Sequence, residues 1–120
     1  MRPRIEDVWF GSITVDGARY EHDIVIRLSG KVRRRRKKLS KDVHGTSHLI
    51  SLEEIKDLHR PKAERLIIGT GHEDKTRLSK EAEKFLAERG CQVDLWPTPK
   101  AIKRWNEAEG KVLGLFHVTC

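Results

Sequence analysis

Cysteine is scarce in this chain of 120 residues: there are two, Cys91 and Cys120. Two cysteines do not make the disulfide framework that staples small secreted domains. A long apolar run is also missing. No stretch approaches the roughly 18 apolar residues needed to cross a bilayer. Met1-Arg2-Pro3-Arg4 leads into Ile5-Glu6-Asp7 and not into the apolar core of a signal peptide. These absences predict a reduced, cytoplasmic protein with no membrane association. Asn106 and Gln92 are the sole side-chain amides, and Met1 is the sole methionine. Scarcity of labile residues beside abundant Lys, Arg and Glu suggests a thermophilic source. Internal repeats and low-complexity linkers are lacking, and the length suits one domain over residues 1–120.

What is present in quantity is positive charge, and it is local. The formal net charge is +7, and Arg33-Arg34-Arg35-Arg36-Lys37-Lys38 carries +6 of it, leaving +1 for the remainder. Such a run is either an electrostatic footprint for phosphate backbones or an acidic partner, or an edge that uses charge against aggregation. No aromatic residue interleaves it, so base stacking on the strip is unsupported. Weak, non-specific nucleic-acid binding is the expected limit.

Local patterns give a mixed α/β order. Phe10 to Val15 alternates and meets Asp16-Gly17, the dipeptide that a type I′ hairpin turn favours. Asp23 to Leu28 reads as a strand, Lys31 to Arg36 as an edge that pairs back, and Lys41 to Ser47 as a polar loop. Ser51-Leu52-Glu53-Glu54 has the form of a capping box ahead of a short helix that Pro61 ends. Ala63 to Ile68 is a strand. Ser79 caps a second helix, with Ala82, Phe85 and Leu86 facing inward and Gly90 stopping it. Cys91 to Trp96 is a strand. Thr98-Pro99 opens a third helix with a capping hydroxyl and then a proline at the first helical position. Val112 to Val118 is the last strand. Alternation of strand and helix in the second half argues for parallel crossovers, and the first half adds antiparallel hairpins. The fold class is therefore α/β, with a central mixed sheet, packed helices and a smaller antiparallel β element.

Several segments together resemble a known family. They are Phe10-Gly11-Ser12-Ile13 before Asp16-Gly17, Tyr20 to Asp23, Ile67-Ile68-Gly69-Thr70-Gly71, Thr98 with Ala101, Trp105-Asn106, and His117 to Cys120. In that order they are similar to the Mth938-domain family, over nearly the whole chain. The resemblance implies a compact α/β domain with a mixed sheet. It implies no reaction, because no enzymatic activity defines the family. Its members include an assembly factor for respiratory complex I, which implies protein partners.

Candidate site residues are few. Gly69-Thr70-Gly71 follows a strand, but Asp74 stands where a dinucleotide fingerprint needs its third glycine, and Glu73-Asp74 would repel a phosphate. A turn beside a small polar pocket is the better reading. Thr98, Asn106 and His117 are candidates to line it, with Thr98 also readable as a helix cap, Asn106 as a structural clamp and His117 as a structural histidine. His44 and His48 lie four apart, but Gly45 argues against a helix there. In a strand, His117 and Cys120 fall on opposite faces, which disfavours a Cys–His dyad unless the chain turns at Thr119. No metal site and no cofactor are expected on these spacings. The leading reading is a non-enzymatic interaction or assembly module, monomeric or homodimeric, with a small polar pocket and an unknown protein partner. The alternatives are a protein or minor enzyme binding a small anion or nucleotide-like ligand, and a basic nucleic-acid-associated protein. The pocket is placed beyond the Leu66–Ile68 strand, between Gly69–Gly71 and the Thr98 helix start.

Overall fold

Strands β1 (Ile5–Trp9), β2 (Ser12–Val15) and β3 (Ala18–Tyr20) form an antiparallel sheet in that order in the computed structural model, which describes residues 2–120. The Asp16-Gly17 turn has φ of 47° and 82°. Two successive positive values are what a two-residue type I′ hairpin needs, and Asp-Gly tolerates them best. Strand β1 was not legible as a strand, because Glu6 and Asp7 interrupt its alternation, and its pairing with β2 is irregular between Ile5 and Asp7.

Next come β4 (Ile24–Ile26), β5 (Val32–Arg34) and α1 (Lys38–His44). Helix α1 corrects the expectation of a polar loop over Lys41 to Ser47. The segment has no apolar stripe to announce a helix. Its Ser40 is fully buried, and Gly45, at φ 74°, ends it in the left-handed conformation. Such a short helix depends on tertiary contacts and not on propensity. After it, β6 (Leu49–Ile50), α2 (Leu52–Leu58), β7 (Arg65–Thr70), β8 (Arg77–Leu78), α3 (Lys80–Glu88), β9 (Gln92–Trp96), α4 (Thr98–Glu107) and β10 (Val112–His117) complete the chain. Half of the capping box forms: Ser51 Oγ accepts from the Glu54 amide at 3.1 Å. The Glu54 side chain does not reach back, because it is committed elsewhere, as described below.

Five strands make the main sheet in the order β5-β4-β10-β7-β9, with β10, β7 and β9 parallel and β4 and β5 antiparallel. Central β10 is buried along its whole length, which explains its unbroken apolar character. Alternation along the strands separates two cores. Leu66, Ile68, Leu113 and Leu115 pack with Ile55, Leu58, Ala82 and Leu86 of α2 and α3. Ile67, Val112 and Phe116 pack with Ala101 and Trp105 of α4 and with Ile5, Ile13 and Val15 of the small sheet. The crossover from β7 to β9 and the return past β7 to β10 run in opposite directions. Placing α3 and α4 on opposite faces keeps both crossovers the same hand.

Asn106 fastens the small sheet to α4. Its Oδ1 accepts from the Ile5 amide at 3.0 Å and its Nδ2 donates to the Ile5 carbonyl at 2.8 Å. The side chain thus imitates a neighbouring strand at one residue of β1. Asn106→Ala leaves both backbone groups of Ile5 without these partners. It is expected to destabilise the fold by about 2 kcal/mol, read as a lowered urea midpoint, with Asn106→Asp falling between it and the wild type.

Candidate functional site

The third of the four consecutive arginines points inward. Arg35 follows edge strand β5 and its side chain is fully buried, whereas Arg33, Arg34 and Arg36 are exposed. Its Nε and Nη2 donate to Glu54 at 2.6 and 3.1 Å, a two-pronged pairing, and Nη2 also donates to the Ser47 carbonyl at 2.7 Å. Its Nη1 donates to Asp23 Oδ2 at 3.0 Å. Burial would lower the Arg35 pKa, but the hydrogen bonds and charge of Glu54 and Asp23 outweigh it and raise it above its ordinary value. Arg36 pairs with Asp57 at 3.0 Å. The solvent-facing basic strip is therefore narrower than six adjacent cations.

Asp23 hands this network on to the end of the sheet. Its Oδ1 accepts from the Val118 amide at 2.9 Å, and its Oδ2 lies 2.7 Å from His117 Nδ1. Burial works against its ionisation. The hydrogen bond and charge of His117, the Val118 amide and the Arg35 guanidinium overcome that and hold the carboxyl at about 2. An ionised carboxylate only accepts, so Nδ1 of His117 donates to it, and Nε2 is the ring nitrogen that Asp23 does not engage. Thr119 Oγ1 sits 3.1 Å from that Nε2.

His48 and Cys120 complete the group. His48 enters from the turn after α1, and its ring stands edge-on to His117 with centroids 5.3 Å apart. Its Nε2 lies 3.6 Å from Cys120 Sγ. One ring nitrogen of each histidine and the Cys120 sulfur all lie within 4.8 Å of one another. Burial first, then the charges of His117, Arg35 and Lys75, lowers the His48 pKa, which favours the neutral ring at pH 7. Strand geometry put His117 and Cys120 on opposite faces. β10 ends at His117, however, and the chain beyond it no longer alternates. His44 takes no part in this group, and neither does the buried Cys91.

The glycine rim lies beside this group but is not open. Thr98 Oγ1 accepts from the Gly71 amide at 2.9 Å and donates to the His117 carbonyl at 2.6 Å, while the Thr98 amide donates to the Gly71 carbonyl at 3.1 Å. Thr98 is therefore not a side-chain cap: its hydroxyl ties together the ends of β7 and β10. A side chain at Gly69 would meet Thr98 Oγ1 at 2.9 Å, and one at Gly71 would meet the Cys120 carbonyl and the His117 ring. Gly71 thus admits the chain's own tail, and Gly69 admits Thr98. Thr70 turns to Asp74, donating to Oδ1 at 2.5 Å. Gly69, Gly71, Thr98 and His117 thus lie together, and Asn106 stands apart at β1. Asp23, Arg35, Glu54, His48 and Cys120 join the site only through pairings distant in sequence. Among the described residues no helix is long and apolar enough to cross a membrane.

Residues 5–117 match the model of a family described as "Protein of unknown function (DUF498/DUF598)". No curated protein matches the chain. The structure is similar to that of a conserved hypothetical protein from Pyrococcus horikoshii, at 37% identity and TM-score 0.91, covering 98% of this chain and 99% of that one. It is also similar to the structure named MT938, at 36% identity and TM-score 0.84, with 98% and 99% covered. A Bordetella pertussis protein described as a Mth938-like domain shares the fold at 19% identity and TM-score 0.64, covering 97% of this chain and 85% of that one.

Two outcomes test the buried network. Removing Arg35 strands two buried carboxylates, so Arg35→Met is expected to cost about 3–5 kcal/mol. Arg34→Met, one residue away and exposed, should stay within about 0.5 kcal/mol. Denaturant melts of the pair check the contrast. Asp23 supplies the acid limit. Its folded value of about 2 lies below the ordinary 3.8, so its stabilisation is complete above that ordinary value and drains as pH falls through about 2. The loss is roughly 2 kcal/mol across that window. Urea melts at stepped pH should show this slope in the wild type and a flatter one in Asp23→Asn.

Proposed function

Since this chain belongs to the DUF498/DUF598 family, whose members include Mth938-like proteins, we propose that it is a non-enzymatic interaction module with a protein partner. One observation carries the reading. Trp9 and Phe10 are 67% and 65% exposed at the β1–β2 turn, yet the turn is held in place. The Gly11 amide donates to the Val118 carbonyl at 2.7 Å, and the His72 amide donates to the Thr119 carbonyl at 2.7 Å. Phe10 lies against the His72 ring, centroids 5.6 Å apart. Trp9 Nε1 is satisfied by Asp7 at 2.8 Å.

Large aromatics standing in water on a fixed turn resemble the anchors of protein interfaces. Such anchors bury much area on binding and lose little conformational freedom. The partner this suits has an apolar recess with a polar margin, since Asp7 and His72 flank the two rings. Closure of the crevice between Gly71 and Thr98 supports a binding role over turnover of a substrate there. The exposed cations Arg33, Arg34 and Lys38 make no ion pair among the described residues. They add long-range attraction to any acidic surface, nucleic acid included, that weakens as salt rises.

A Trp9→Ser/Phe10→Ser double variant should keep its urea midpoint, because exposed side chains contribute little to folding. Affinity capture from cells of the source organism should recover a near-stoichiometric protein with the wild type and not with the double variant. That protein, purified, should shift Trp9 emission to the blue, with no shift in Trp9→Phe. Equal recovery by both forms would remove the aromatic turn as the contact surface.

A further inference from the structure

We propose that His48, His117 and Cys120 form a three-ligand site for a soft transition-metal ion, zinc(II) foremost. The inference stands apart from the aromatic turn, and either can fail without the other.

Geometry is the first support. Zinc bonds of about 2.3 Å to sulfur and about 2.0–2.1 Å to imidazole nitrogen, at tetrahedral angles, set an S···N edge of about 3.6 Å. The distance from Cys120 Sγ to His48 Nε2 is 3.6 Å. The third ligand falls within the same 4.8 Å group, so closing the site requires shifts smaller than a bond length.

The supporting groups are the second. Metal-bound histidines nearly always give their other ring N–H to a carboxylate, carbonyl or water, which fixes the tautomer and aims the free lone pair. Asp23 does this to His117 at 2.7 Å. Asp23 is itself held by Arg35 at 3.0 Å and by the Val118 amide at 2.9 Å. His117 therefore presents Nε2 on a rigid, buried mount. Thr119 Oγ1 lies 3.1 Å from that Nε2.

Donor chemistry selects the ion. One thiolate and two imidazoles suit zinc(II) and copper(I), and disfavour magnesium and calcium, which take oxygen. His48 and Cys120 are partly exposed while His117 is buried, so an ion can enter from solvent. Three protein ligands leave a fourth position for water or for a donor from a partner. The site belongs to the tail that closes over Gly71, so an ion there would also fasten Cys120 to the turn before β6.

The test uses full-length protein free of any polyhistidine tag, stripped with a chelator. Cobalt(II) serves as the probe by visible absorption, and zinc(II) by calorimetry and by displacement of the cobalt. The expected result is one equivalent bound, with the intense visible bands of tetrahedral cobalt and a thiolate-to-cobalt band in the near ultraviolet. His48→Ala and Cys120→Ala, both at partly exposed positions, should each weaken zinc binding at least tenfold. Circular dichroism should show both still folded. Cys120→Ala should also erase the thiolate band. Absence of stoichiometric binding by folded wild type overturns the proposal. So does binding that survives unchanged in both variants, which would place the metal elsewhere.

Discussion

The buried Arg35 guanidinium is the constraint on which the rest of the structure leans. It draws together the start of β4 through Asp23, the end of β5 through its own backbone, α2 through Glu54 and the turn before β6 through Ser47. None of these charges is tolerable alone in the interior, because an unpaired buried ion costs several kcal/mol. Together they satisfy one another. The consequence is positional: the elements cannot drift apart without exposing a buried charge to an apolar surrounding. Glu54 illustrates the priority. Its side chain forgoes the closing bond of the capping box to take a two-pronged bond to Arg35, and Ser40 Oγ accepts from the Ser51 amide in its place.

The network also decides what the sheet end can do. Asp23 uses one oxygen on Arg35 and His117 and the other on the Val118 amide, so the histidine and the tail beyond it are set by the same carboxylate. The fold places a switch between α3 on one face and α4 on the other, with β7 and β9 side by side. In sheets of parallel strands such a switch ordinarily opens a ligand crevice. Here Thr98 and Gly71 bond across it, and residues 118–120 lie over it. The polar chemistry moves outward to His48, His117 and Cys120. Beside it stands the Trp9-Phe10 turn, pinned through Gly11 to Val118. One rim thus carries both the exposed Trp9-Phe10 turn and the His48, His117 and Cys120 donors.

Local chemistry written in a few residues was sufficient for most of the architecture. Asp16-Gly17 determined a type I′ hairpin because few other pairs accept two positive φ values. The runs Leu66–Ile68 and Leu113–Val118 determined interior strands because continuous apolar character is stable only with both faces covered. Ser79 and Gly90 determined the limits of α3 through a hydroxyl bond and a left-handed stop. Gly69 and Gly71 marked the end of β7. These signals act over a few residues, so a linear reading captures them.

Tertiary structure alone decided the rest, because the rest depends on which distant groups meet. Nothing in Arg33-Arg34-Arg35-Arg36 distinguishes the residue that is buried from its exposed neighbours; Asp23 and Glu54 choose it. Thr98 looks the same as a helix cap or as a bridge between strand ends. His48 and Cys120 are 72 positions apart, and their approach requires α1, which no apolar stripe announces, and a tail that leaves the strand after His117. Charge pairing and chain closure are long-range events, and a sequence lists their participants without stating their partners.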